Sequence, residues 1–104
     1  MSLRPPQTFT AGGMSNSALD VLEYEFLAEK ASALGQTGQR VVKCLDALKA
    51  HSGSEEERAV LRKAAADAVY GYFIQRELCG FRRHEDVIRE YAIPGEVLAR
   101  LGAK

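Results

Sequence analysis

Apolar and small side chains recur at alternating intervals of four and three residues through the first half of the chain. A mean spacing of about 3.5 residues places these positions along one side of a single helix that faces another helix. The pattern therefore predicts one continuous helix from about residue 16 to about residue 50, passing through both Gly35 and Gly38. The eight positions are Tyr24, Leu27, Ala31, Leu34, Gly38, Val41, Leu45 and Leu48.

A second helix is predicted after a short turn at residues 51–54. Ser54 followed by Glu57 has the spacing of a capping box, and Gly80 supplies the left-handed residue that ends a helix just after Cys79. Because the connection is short, the two helices should form an antiparallel hairpin. The predicted apolar stripe of the second helix consists of Leu61, Ala64, Ala65, Ala68, Val69, Tyr72, Phe73 and Leu78.

Small residues at the middle of both helices suggest a close approach of the two axes. If the turn is centred near Ser52, the register of the hairpin sets Gly38 against Ala68 and Leu34 against Gly71. We therefore expect the backbones to lie closest together at mid-hairpin.

The C-terminal region predicts two short helices. The first covers about residues 85–91 and the second starts at Pro94 and ends near Leu101, with Gly102 as the stop. We expect these helices to cover the apolar side chains near the start of the first helix, namely Leu19, Val21, Leu22 and Phe26.

No segment has the pattern of a strand, so the predicted fold is all-α: a long antiparallel helical hairpin plus two short C-terminal helices. Residues 1–14 contain Pro5-Pro6 and Gly12-Gly13, which predict a flexible N-terminal tail before a single helical domain at 15–104. One flank of such a hairpin stays uncovered. Dimerisation into a four-helix bundle would cover it, and we therefore expect a homodimer.

The charge balance disfavours some partners. Fourteen basic and fourteen acidic residues give a formal net charge of zero, which provides no broad positive field for nucleic acid or for an anionic membrane. No apolar stretch approaches the roughly 20 residues of a membrane span, and no secretory signal is visible, so we expect a cytoplasmic protein without a membrane partner. A protein partner is compatible with the composition.

Candidate chemistry is concentrated near the end of the second helix. A polar pocket for a small ligand could form there, with the arginines attracting an anion; the alternative is that these groups pair with one another and fix the turn of the chain. The sequence contains no catalytic constellation, no metal motif and no cofactor-binding motif, so we expect neither an enzyme nor a cofactor. The candidate residues are Tyr72, Gln75, Glu77, Arg82, Arg83 and His84.

Residues 86–101 offer a second functional hypothesis. Two short helices around the turn Tyr91-Ala-Ile-Pro94 resemble a helix-turn-helix DNA reader. Ala92 replaces the usual turn glycine, and only Glu96 and Arg100 are available as polar contacts in the second helix. This hypothesis of a small DNA-binding regulator is therefore weaker than that of a helical interaction or scaffold module.

Four stretches together resemble a known family: residues 18–25 (ALDVLEYE), 29–35 (EKASALG), 75–80 (QRELCG) and 91–94 (YAIP). They are similar to a family of small, uncharacterised all-helical proteins from bacteria, described as a domain of unknown function. The resemblance implies a bacterial, cytoplasmic, all-helical protein over residues 17–102. It implies no activity, cofactor or site.

Overall fold

The computed structural model of the chain describes residues 16–103, and each regular element in this range is an α-helix. The predicted all-α class and helical hairpin are confirmed, and the predicted tail at residues 1–14 lies outside the described residues. The helices are α1 (Asn16–Ala50), α2 (Glu55–Leu78), α3 (Glu85–Glu90) and α4 (Gly95–Leu98).

Helix α1 is uninterrupted through both glycines, as predicted. Near them, Thr37 Oγ1 donates a hydrogen bond to the carbonyl of Leu34 at 2.9 Å. Gly35 is exposed, whereas Gly38 is buried. The two glycines therefore have different surroundings although they share one helix.

Both ends of α2 follow the predicted capping pattern. The Ser54 side chain accepts a hydrogen bond from the backbone N–H of Glu57, and the Glu57 side chain accepts one from the backbone N–H of Ser54. At the other end Gly80 has φ +98°, and the N–H of Phe81 reaches back to the carbonyl of Arg76 at 2.9 Å. This bond and the bond from Gly80 to the Glu77 carbonyl form a Schellman motif.

The chain divides into two compact units, Met1–Ala31 and Ser32–Lys104. In the first unit the structure describes residues 16–31, which belong to α1. The second unit contains the rest of α1 together with α2, α3 and α4. Its hydrophobic core consists of Val41, Leu45, Leu48, Ala65, Ala66, Ala68, Val69, Tyr72, Phe73, Val87, Ile93 and Val97.

The predicted register of the hairpin is wrong. A Cβ built on Gly38 would lie 3.4 Å from a ring carbon of Tyr72, so Gly38 faces Tyr72 rather than Ala68. Gly71 is exposed and a Cβ built on it would have no neighbour within 4 Å, so it does not face Leu34. The space that Gly38 leaves is taken by aromatic side chains and not by a second small residue.

Helices α3 and α4 contribute Val87 and Val97 to the core of the second unit, and α4 packs against α2. Helix α4 ends at Leu98, earlier than predicted, and turns continue to Gly102 at φ +73°. The four apolar side chains at the start of α1, which were predicted to be covered, are exposed. Leu78, predicted on the apolar stripe, is also exposed. The exposed fractions at the start of α1 are Leu19 39%, Val21 55%, Leu22 49% and Phe26 58%.

Candidate functional site

Arg76 is the buried centre of the polar cluster at the end of α2. Only 7% of the residue is exposed. Its Nε donates to His84 Nδ1 at 3.1 Å, and one terminal nitrogen donates to the Arg83 carbonyl at 2.9 Å. The guanidinium also lies 4.9 Å from the centre of the Phe81 ring, within the range of a cation–π contact. Arg76 thus ties the last turn of α2 to the chain that leads into α3.

His84 is held in one orientation and one tautomer. Its ring stacks on Phe73 at 4.2 Å with an interplanar angle of 5°. Because Nδ1 accepts the hydrogen bond from Arg76, the ring proton lies on Nε2, which donates to Glu77 Oε2 at 3.1 Å. The imidazole therefore bridges the Arg76 guanidinium and the Glu77 carboxylate.

The structure brings together only part of the predicted ligand cluster. Glu77 and His84 are joined directly, but Tyr72 packs against Gly38 and Tyr91, with the two tyrosine rings 5.7 Å apart. Gln75 is half-buried. The central role of Arg76 was not predicted from the sequence, although the spacing Val69, Tyr72, Arg76 continues the inward side of α2.

The side chains of Arg82 and Arg83 lie outside this hydrogen-bonded cluster, on an open groove of about 560 Å³ that Arg76 also lines. We call this surface the arginine groove. Within residues 16–103 no ion pair engages the side chains of Arg82, Arg83 or Arg89. A terminal nitrogen of Arg76 lies 3.6 Å from Asp86 Oδ1. The groove is lined by Arg76, Gly80, Phe81, Arg82, Arg83, Glu85, Asp86 and Arg89.

A second cleft of about 330 Å³, which the sequence analysis did not identify, lies in the second unit. Arg58 and Arg62 both bind the carboxylate of Glu96 at one side of it. The hydrogen bond from Arg58 is the largest influence on this carboxyl and lowers the pKa of Glu96 below its usual value. The cleft is lined by Leu45, Asp46, Leu48, Lys49, Arg58, Tyr91, Ala92, Pro94 and Glu96.

In the proposed DNA-reading region, α4 has only four residues, and its one polar side chain, Glu96, and Arg100 beyond its end are both engaged. Glu96 is held by the two arginines of α2, and Arg100 donates to the Glu96 carbonyl at 2.9 Å. Val97 is fully buried. DNA recognition by residues 86–101 stays a prediction, and the geometry offers it no free side chain on α4.

Residues 16–31 expose apolar side chains on all sides of α1. We call them the acidic apolar segment, because they also carry four acidic residues against the single Lys30. Six large apolar side chains have exposed fractions between 39% and 73%. They are Leu19, Val21, Leu22, Tyr24, Phe26 and Leu27.

Within residues 16–103 no group of three or more His, Cys, Asp or Glu side chains is placed to hold a metal ion. No helix of this part of the chain has both the length and the apolar character needed to cross a bilayer.

The chain belongs to a family of unknown function, DUF6665, whose model matches residues 1–104. Neither the curated proteins nor the solved structures include a significant match to it. Family membership therefore agrees with the resemblance in the sequence and transfers no activity.

Proposed function

We propose that this member of the DUF6665 family is a non-enzymatic helical interaction module that acts as a homodimer in the bacterial cytoplasm. The observation that carries the proposal is the exposure of six large apolar side chains within the 16 residues of the acidic apolar segment. Exposed apolar surface that is contiguous and large is typical of a protein contact.

The acidic apolar segment needs a partner in order to bury its apolar side chains. A helix that is apolar on all sides is normally buried, and burying one large aliphatic or aromatic side chain contributes about 1.5–3 kcal/mol. Tyr24 and Leu27 also continue the alternating spacing of the buried Val41 and Leu45. That spacing is typical of packing against another helix, and a second copy supplies one with the same pattern.

The chemistry of the polar groups supports a binding role over catalysis. His84 is committed to Arg76 and Glu77, and Glu96 is committed to Arg58 and Arg62. A catalytic acid or base must instead reach a substrate. These groups stabilise the second unit and leave the acidic apolar segment as the surface available for a partner.

Analytical ultracentrifugation from about 1 to 300 µM tests the proposal, because a dimer with a dissociation constant of about 10 µM changes from mostly monomer to mostly dimer in this range. We expect a species of twice the 11.4 kDa chain mass. The double variant Leu22→Gln/Phe26→Gln should weaken the dimer by at least about tenfold, since two exposed apolar contacts would be lost.

The matched control is Val42→Gln/Val60→Gln, which changes two exposed apolar side chains outside the segment. Its dimer should be as strong as that of the wild type. A wild-type protein that sediments only as an 11.4 kDa species throughout this range contradicts the proposal.

A further inference from the structure

We propose that the arginine groove of one copy receives the acidic apolar segment of a second copy, and that the exchange is reciprocal. The inference rests on the proposed self-association and goes further by naming the surface that the segment binds. It is carried by the complementarity between two surfaces of the chain, one acidic and apolar, the other cationic with an exposed aromatic ring.

The segment has its apolar and acidic groups side by side. Leu19, Leu22 and Phe26 have the spacing of one helix face, and Asp20 and Glu23 border that face. All three apolar residues are exposed. A partner surface must therefore offer both apolar contact and cations close together.

The groove offers that combination. Arg82, Arg83 and Arg89 are exposed and engaged in no ion pair within the described residues, and Phe81 is 49% exposed beside them. Guanidinium groups bind carboxylates through paired hydrogen bonds, and such bonds are stronger than neutral ones. Arg76 is fixed below the ring of Phe81, so the aromatic part of the groove is held in place before binding.

A nucleic acid fits the groove less well. Glu85 and Asp86 interrupt the row of cations that an extended phosphate backbone would need, whereas the segment has only a few carboxylates to pair, and the chain as a whole has no net charge. The exposed Phe81 has an apolar counterpart in the segment. Reciprocal docking of segment and groove also gives a closed two-fold dimer, in which each copy uses the same two surfaces.

Charge reversal on each side tests the inference. Either Arg82→Glu/Arg89→Glu in the groove or Asp20→Arg/Glu23→Arg in the segment should raise the dimer dissociation constant by at least about tenfold at low salt. Combining all four substitutions should restore the dissociation constant to within about threefold of the wild-type value, because the charges on both surfaces are then reversed and attract each other again. The matched control is Arg40→Glu/Lys43→Glu, on exposed positions of α1 outside both surfaces, and it should leave the constant unchanged.

The outcomes separate the two proposals. A wild-type monomer at all concentrations overturns the self-association itself. A stable wild-type dimer whose dissociation constant is insensitive to both double reversals overturns only the assignment of the groove. Retardation of a fluorescein-labelled DNA duplex that Arg82→Glu/Arg89→Glu abolishes, with the dimer unaffected, would assign the groove to nucleic acid and also overturn the inference.

Discussion

The hydroxyl oxygen of Tyr91 packs over Gly38, where a Cβ on residue 38 would make a tight contact with it. A Cβ built on Gly38 would be 3.3 Å from this oxygen and 3.4 Å from the ring of Tyr72. The contact with the Tyr91 oxygen is tighter than most Cβ contacts, and the contact with the Tyr72 ring is at the lower edge of the van der Waals range. The glycine in α1 is therefore explained by the pair of tyrosines that packs over it, one from α2 and one from the turn after α3.

The first prediction compares Gly38 with Gly35, three residues away in the same helix. Gly38→Leu should lower the free energy of unfolding by about 1–3 kcal/mol, because a large side chain overfills the space of the two tyrosines. Gly35→Leu should instead raise it by about 0.5–1 kcal/mol, since Gly35 is exposed and leucine favours the helix. Urea unfolding followed by circular dichroism measures both. Equal effects at the two sites would contradict the proposed packing.

The second prediction concerns Ala92, which has φ +53°. The Ala92 N–H donates a hydrogen bond to the Arg89 carbonyl, and the Ile93 N–H donates one to the Ile88 carbonyl. Ala92 therefore occupies the left-handed position of a Schellman motif, where glycine is preferred. Ala92→Gly should stabilise the protein by about 0.5–1 kcal/mol, because the strain of a Cβ in this conformation is removed.

Gly80 occupies the equivalent position after α2, at φ +98°. Gly80→Ala is therefore the reciprocal control, and it should destabilise the protein by about 1 kcal/mol. Thermal and urea unfolding of both variants check the pair. If Ala92→Gly lowers the stability, then the side chain of Ala92 contributes more by its contacts than its backbone conformation costs.

The helices were predictable because their signals are local. Ser54 and Glu57 are close in sequence and specify a cap on their own, and Gly80 ends a helix by its own conformational freedom. The register of the hairpin was not predictable in this way. Pairing Gly38 with another small residue was as reasonable as pairing it with Tyr72, and the choice depends on Tyr91, which is 53 positions further along the chain.

The candidate site was predictable as a region but not as an arrangement. Arginine is rarely buried, so the inward helical position of Arg76 did not by itself identify it as the centre of the cluster. Its burial depends on His84 and the Arg83 carbonyl, which accept its hydrogen bonds only after the chain has turned at Gly80. The exposure of the acidic apolar segment also required the structure, because helical periodicity does not reveal whether a partner element is present.

The third prediction tests Arg76. Arg76→Met keeps much of the side-chain volume but removes the donors to His84 Nδ1 and to the Arg83 carbonyl. We expect a loss of about 2–4 kcal/mol in the free energy of unfolding, because two acceptors lose their partner and the packing on Phe81 changes. Arg40→Met, at an exposed position of α1, should change stability by less than about 0.5 kcal/mol. Similar small effects of both variants in urea unfolding would argue against a central role for Arg76.

The fourth prediction uses the lowered pKa of Glu96, which the hydrogen bond from Arg58 causes first of all. A carboxyl whose pKa is lower in the folded state stabilises the protein above its unfolded pKa, and this stability is lost as the pH falls through the folded pKa. Glu96→Gln should therefore be less stable than wild type at neutral pH, and the difference should shrink as the pH falls below about 4.5. Urea unfolding over this pH range provides the comparison. A difference that is independent of pH would mean that the charge of Glu96 has no part in it.

The last prediction concerns the alkaline side and the tyrosine pair. The hydrogen bond with Tyr72, followed by burial, raises the pKa of Tyr91 to about 12 from an ordinary value of 10.0. The stability that this group contributes is fully present below the unfolded pKa and is lost as the pH rises toward the folded one. Tyr91→Phe should cost about 0.5–1.5 kcal/mol near neutral pH, and the difference from wild type should shrink as the pH rises above about 10.

Tyr72→Phe removes the same hydrogen bond by deleting the other hydroxyl. The stability of this variant should therefore also approach that of the wild type as the pH rises above about 10. Urea unfolding from about pH 8 to about pH 11 distinguishes this linkage from a loss of packing, which would give a constant difference. Because the Tyr91 hydroxyl and the Tyr72 ring both pack over Gly38 and the two tyrosines share a hydrogen bond, the double variant Tyr72→Phe/Tyr91→Phe should cost less than the sum of the single changes. Additive costs would indicate that each hydroxyl acts independently and that the pair does not explain the glycine beneath it.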